Sequence, residues 1–457
     1  MKTGSKRKFQ TITEESLIFL SIFKWTILAV VIGTLVGGST AVFLKLLDYG
    51  IHYVSSMPTF YYFLPLALFI SVIFTFYISP DSEGHGTEKV IQAVHRDSGR
   101  LRARIIPIKL LTTLITLITG GSAGKEGPCA QIGAGIASVV SDVFKFSDQD
   151  RKKLVICGIS AGFAAVFGTP IAGAIFGVEV LFVGGILYEV LLPSFIAGMV
   201  GYHMALNLGV GYGHQFHDYV IDFSFVHFVE LVLAGVFFGL VSFAFIELIK
   251  YTHNLSKSFK IWPPLKGIIG GVLLIIIAKV FSTDYLGLGL DTIDFALSGG
   301  EIIWYAFIVK IIATCITLSL GGSGGILTPI FFVGATAGVF YANVLGLDPA
   351  LFAAVGMVSV LAGAANTPIA ACILTVELFG SSMGSFAAVA CVVSFLMTGY
   401  RSVYPSQILS VKKAPSVFGK HGEEMDSCSR ELEYRTRRQM VSILQAVRKT
   451  KKFNSFW

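Results

Sequence analysis

Charge is scarce in this chain. Only 14% of its 457 residues are Asp, Glu, Lys or Arg, while 54% are hydrophobic. A water-soluble domain carries roughly 25% charged residues. The shortage excludes an ordinary globular enzyme or soluble binding module, because most of the surface has to meet hydrocarbon. Cysteine is sparse as well. Of six cysteines, Cys129, Cys157, Cys315, Cys372 and Cys391 lie in apolar segments at scattered spacing, which argues against a disulfide framework and against a metal centre. His52, His203, His214, His217 and His227 are spread over loops and helix ends, not at metal-ligand spacing. No His-x-x-x-His, Gly-x-Ser-x-Gly or acidic pair stands in a suitable place for an intramembrane enzyme. No catalytic residue, metal or cofactor is therefore expected.

What the chain has instead is apolar length. Runs at 16–47, 60–79, 105–119, 171–200, 225–249, 265–281, 302–320 and 383–400 approach or exceed the roughly 20 residues that span a bilayer. They predict an all-α polytopic membrane protein whose main partner is the lipid bilayer. The basic start, with Lys2, Lys6, Arg7 and Lys8, leads into an apolar run too long for a cleavable signal. Lys412, Lys413, Arg435, Arg437, Arg438, Arg448, Lys449, Lys451 and Lys452 follow the last run. Positive flanks stay inside, so both termini are expected in the cytoplasm, and Arg96, Arg100, Arg102 and Arg104 mark an inside loop. The basic tail reads as an anchor on anionic lipid. It carries no nucleic-acid module, so no nucleic acid is expected as a partner.

Two halves of the sequence resemble each other. GSAGKEGPCAQIGA (121–134) and GSGGILTPIFFVGA (322–335) share G-S-x-G-x-x-x-P-x-x-x-x-G-A, and GISAGFAAVFGTPIAGAIFGVEV (158–180) aligns without gaps on GMVSVLAGAANTPIAACILTVEL (356–378). Glu179 matches Glu377. The reading is a duplicated membrane unit: 1–55 as N-terminus and first helix, 56–210 as first repeat, 211–224 as connecting loop, 225–400 as second repeat, and 401–457 as the end of the pore and a short tail. Transporters built from repeats place substrate near the bilayer midplane, where broken helices end. Unpaired backbone is tolerated there only if buried or lining a wet cavity. The breaks at 120–128 and 321–329 are thus candidate walls of a site.

A helix N-terminus presents unpaired N–H groups and about half a positive charge. Glycine lets those groups approach a ligand closely. Ends of this kind, converging at mid-membrane, hold a small anion without a fixed cation that would bind it too tightly. Glu126 lies inside the first break, between Lys125 and Gly127. An intramembrane carboxylate is costly and points to function. Its side chain can occupy an anion site and leave on protonation, as a gate, a proton carrier or both. Glu179 and Glu377, at equivalent repeat positions, read first as structural.

These motifs resemble the CLC family of chloride channels and chloride/proton antiporters over about residues 20–410. GSAGKEGPCAQIG resembles the family's G-[KR]-E-G-P signature, which places Glu126 on the external gate and Gly124, Lys125 and Gly127 around it. GHGTEKV (84–90) resembles GSGIPE, placing Gly84, His85 and Gly86 at the first anion motif. GGSGGILTP (321–329) resembles GGIFAP, placing Gly325, Ile326 and Leu327 where amides face the ion. Tyr404 in SVYPSQ resembles the family's central tyrosine. The resemblance implies an inverted repeat of broken and tilted helices, bound chloride ions, a homodimer with one pore per subunit, and a cell-membrane location. The segment after residue 400 is too short for the nucleotide-binding regulatory domain that some members carry. His85 departs from serine and brings a group that titrates near neutrality. Val180 stands where proton-coupled members often carry a second glutamate, so that proton-transfer position is lost. The expectation is chloride conduction gated by Glu126, channel-like and passive, with a chloride/proton antiporter and a fluoride-selective relative as alternatives.

Overall fold

The computed structural model describes residues 2–212, 224–414 and 420–428. The expected connecting loop therefore lies mostly outside the described residues, as does the chain beyond 428. In the first half, α1 (Lys2–Ser55), α2 (Leu64–Ile73), α3 (Thr87–Arg96), α4 (Ile105–Ile118), α5 (Glu126–Val143), α6 (Asp148–Phe167), α7 (Pro170–Glu179) and α8 (Tyr188–Asn207) follow in order. The second half brings α9 (Phe225–Ser258), α10 (Pro263–Val280), α11 (Leu290–Leu297), α12 (Ala306–Ser319), α13 (Leu327–Leu345), α14 (Pro349–Ala365), α15 (Pro368–Phe379) and α16 (Ser381–Met397). Among the described residues, six helical segments are long and apolar enough to cross a membrane, and shorter apolar helices lie between them.

Local chemistry fixes the ends. Ser147 caps α6 by accepting from the Asp150 amide, and Gly168 closes that helix in the left-handed region. Asp348 caps α14 through the Ala350 and Leu351 amides, ahead of Pro349 at the first helical position. Inside-out patterning follows from the solvent: Phe19, Tyr49, Leu66, Leu233, Leu240 and Val280 are exposed, as side chains facing lipid should be.

The duplication is visible in the packing. α5 lies on α6 where Gly133 meets Gly158, and α13 lies on α14 where Gly334 meets Gly356; a Cβ at any of the four would strike the opposite backbone. Such small-residue contacts let membrane helices pack without a hydrophobic driving force. The C-terminal end of α7 touches the N-terminal end of α15 and the reverse, because Glu179 and Glu377 each bond the other helix's first amides. That antiparallel exchange is what an inverted repeat requires.

One expected span is corrected. The run 171–200 is not a single helix: α7 ends at Glu179, and β1 (Phe182–Val183) pairs in parallel with β2 (Ile408–Leu409) before α8 begins. Gly184, at φ 77°, turns the chain there, and the 408–411 segment supplies the hydrogen bonds that the interrupted helix lacks.

Candidate anion site

The two glycine breaks meet. Gly124 and Gly325 form an antiparallel bridge, with Gly124 N donating to Gly325 O at 2.7 Å and Gly325 N to Gly124 O at 2.5 Å. Flanking residues repeat the pattern with exchanged partners. Ser122 N donates to Thr317 Oγ1 and Ser323 N to Thr116 Oγ1, both at 3.1 Å. The non-helical backbone at this depth is thus satisfied by protein, as a membrane interior demands. It also means that the amides of Gly124 and Gly325, expected among the anion-binding groups, are occupied by each other. Those two residues form the seam beneath the site.

Three helix N-termini adjoin this seam. Gly86, at φ 84°, precedes α3; Lys125 precedes α5; Ile326 precedes α13. Gly127 must be glycine, since a Cβ there would collide with the His85 carbonyl and press on Gly325. That close approach joins the loop holding Gly84, His85 and Gly86 to the start of α5. Leu327 opens α13 and is buried.

The buried Glu126 carboxylate lies over the seam. Its Oε2 is the first atom that a Cβ on Gly124 or on Gly325 would strike. Thr328 donates its hydroxyl to Oε1, while Oε2 has no hydrogen-bond partner among the described residues. Among the described residues Glu126 forms no ion pair, not even with Lys125, its neighbour in sequence. Tyr404 is fully buried, and among the described residues its hydroxyl makes no hydrogen bond. Its ring centroid lies 5.5 Å from that of His85, whose Nδ1 is buried and likewise has no partner among the described residues. The structure therefore brings all of the candidate residues from three separate motifs, and Tyr404 from a fourth, to one place.

Two residues escaped the sequence reading. Lys109, inside an apolar run, is fully buried and donates to Ser82 O at 3.2 Å and Gly84 O at 2.5 Å. Lys310 does the same in the other half, to Tyr285 O at 3.2 Å and Gly287 O at 2.9 Å. Each lysine clamps a Gly-x-Gly loop, 84–86 or 287–289, that opens α3 or α11. The available signal was the lone cation at matched positions of the two repeats. Val180 is fully buried, and its carbonyl accepts from Gln407 Nε2 at 2.8 Å. Glu179 is committed to α15, accepting from Ile369 N at 3.0 Å and Ala370 N at 2.7 Å.

Comparison with known proteins agrees with this arrangement. A family model described as voltage gated chloride channel matches residues 66–399, well over half of the chain. The chain belongs to the CLC family. It is 33% identical over 414 residues to a chloride/fluoride channel protein of Pseudomonas syringae pv. tomato, covering 88% of this chain and 90% of that one. The crystal structure of a CLC-type fluoride/proton antiporter superposes with a TM-score of 0.80 at 29% identity, over 85% of this chain and 98% of that one. A slow cyanobacterial Cl-/H+ antiporter shares the fold, with a TM-score of 0.72 at 18% identity over 82% of this chain and 94% of that one. This CLC protein is an integral, multi-pass membrane protein of a family that transports anions, and its fold is the inverted repeat of broken helices expected from its sequence.

Proposed function

We propose that this CLC protein exchanges small anions, fluoride and chloride among them, for protons through a mid-membrane site gated by Glu126. The observation carrying this reading is the Glu126 carboxylate, buried, without an ion pair among the described residues and lodged where three helix N-termini meet. A carboxylate there competes with an anion for the same positive helix ends. Protonation removes that competition, so anion entry and proton uptake are linked at one atom. The groups proposed to face the anion are the backbone of Gly84, His85, Gly86, Lys125, Gly127, Ile326 and Leu327, with the Tyr404 hydroxyl. Gly124 and Gly325 frame them. Fluoride is included because relatives at 33% and 29% identity are a chloride/fluoride channel protein and a fluoride/proton antiporter. Bound anions are the expected occupants, and no cofactor is required. A homodimer in the cell membrane, each subunit with its own pore and both termini in the cytoplasm, is the assembly that the resemblance and the basic flanks support.

Val180 favours a second reading, passive chloride conduction, because valine carries no protons. Paired flux decides. Purified protein in liposomes loaded with fluoride or chloride is given valinomycin, and external anion and pH are recorded together. Coupled exchange predicts protons driven uphill by the anion gradient, with coupling lost in Glu126→Ala. Anion efflux without proton movement establishes the passive reading, and no flux of either anion refutes the site.

A further inference from the structure

Exchange of anions for protons, the reading proposed above, calls for a proton route between Glu126 and the solution on the face carrying Arg96, Arg100 and Arg102, and a titratable side chain along it would serve. Val180 cannot be that group, and most nearby acids are otherwise engaged. Both oxygens of Glu179 and of Glu377 accept helix amides. Glu247 is paired with Arg401 at 2.6 Å, and Glu424 with Arg96 at 2.6 Å.

Glu88 differs. It stands in the first turn of α3, two residues after the Gly86 that abuts Gly127. It is half-buried and, among the described residues, forms no ion pair. Its carboxylate accepts from Ser406 N at 3.1 Å and Ser406 Oγ at 2.5 Å. Ser406 is two residues beyond Tyr404, the buried tyrosine whose hydroxyl has no hydrogen bond among the described residues. The charged neighbours bearing on Glu88 are Lys89, beside it in the chain, and Glu424; Arg96, two turns along α3, is held by Glu424. One acid thus stands at the end of α3 that meets the anion site, tied through Ser406 to the segment bearing Tyr404, while the same helix ends at Arg96.

We propose that Glu88 is the proton-exchange residue on the arginine-bearing face, passing protons to and from Glu126 across Tyr404. The step balances without any co-reactant. A proton from solution forms an O–H bond on Glu88; that bond breaks as an O–H bond forms on Glu126, and an anion crosses in the opposite sense. No such acid is needed for anion movement itself, so the role is separable. The competing role is mechanical: the Glu88–Ser406 bonds tie the Tyr404 segment to α3.

The experiment is the paired flux assay on the intact protein with Glu88→Gln, Glu88→Asp and Ser406→Ala beside the wild type. Glu88→Gln keeps a hydrogen-bond acceptor for Ser406 but carries no titratable group. The expected result is anion flux retained and uphill proton movement lost in Glu88→Gln, with coupling preserved in Glu88→Asp and in Ser406→Ala. Wild-type coupling in Glu88→Gln overturns the proposal. So does equal loss of both fluxes in Glu88→Gln and Ser406→Ala, which assigns Glu88 to the tether alone. Absence of proton movement in the wild type refutes the coupled reading itself, a different outcome from coupling that survives without Glu88.

Discussion

Replacing Glu179 with glutamine should damage the fold more than the transport. The carboxylate is 4% exposed and accepts from Ile369 N at 3.0 Å and Ala370 N at 2.7 Å, at the start of α15. Glutamine keeps one acceptor oxygen and turns an NH2 toward the second amide. A hydrogen bond to a charged group, worth about 1.5–3 kcal/mol, is lost, and a buried donor is left unmade at about 1–3 kcal/mol. Removing the negative charge from the helix start adds up to about 2 kcal/mol. These contributions overlap, so the expected cost is about 2–5 kcal/mol. Glu377 bonds Ile171 N at 2.9 Å and Ala172 N at 2.7 Å in the same way but is half-buried, so Glu377→Gln should cost less. The assay is the thermal midpoint of each purified variant in detergent, with paired flux on the same preparations. Glu179→Gln should melt below Glu377→Gln, and both below wild type, with anion-to-proton stoichiometry unchanged in whatever remains folded. A Glu179→Gln protein that melts like wild type yet no longer moves protons would refute this reasoning and give Glu179 a proton role.

The two buried lysines offer a matched pair. Lys109→Met frees the carbonyls of Ser82 and Gly84 and loosens the loop bearing His85, so anion flux should fall about tenfold or more, a barrier change of about 1.4 kcal/mol. Lys310→Met frees Tyr285 and Gly287 in the other repeat and should lower the thermal midpoint with flux nearly intact; equal flux loss in both would refute the assignment. At the surface, hydrogen bonds from Arg100 and then Arg151 hold the Asp148 carboxyl below its ordinary range. Its stabilisation is therefore present above the unfolded carboxylate pKa of about 4 and lost as pH falls through and below that value. The melting advantage of wild type over Asp148→Asn should shrink on acidification, and a gap that widens would contradict the sign.

Much of the fold was legible because duplication leaves a trace that composition does not. Two blocks of matched glycine, proline and threonine located both breaks, and Glu126 stood out as an acid in apolar surroundings. Other features were hidden for physical reasons. The interruption between α7 and α8 is stabilised by pairing with residues 408 and 409, far along the chain, so no local pattern announces it. The Gly-x-Gly loops at 84–86 and 287–289 share only two glycines, too few to register as a repeat. Lys109 and Lys310 vanish into apolar runs, since a window average is insensitive to one cation. The Gly124–Gly325 bridge inverts an expectation: glycines that allow a ligand to approach closely allow another backbone to approach equally well.

The symmetry itself separates structure from function. The exchanged glutamate caps, the lysine clamps and the bonds from Ser122 and Ser323 to Thr317 and Thr116 occur in both halves and hold backbone in place. Features that break the symmetry gather at one place. Glu126 answers to Leu327, Thr328 to Gly127, and His85 to Leu288. Glu88 answers to Asp291, but Asp291 is exposed while Glu88 turns inward to Ser406. An inverted repeat alone would make two equivalent, neutral cradles. A single protonatable site arises only where one half supplies an acid and the other supplies the hydroxyl of Thr328 beside it. On this argument, Leu327→Glu is the substitution that would make the breaks alike, and it should abolish selective exchange by placing a second carboxylate against the first.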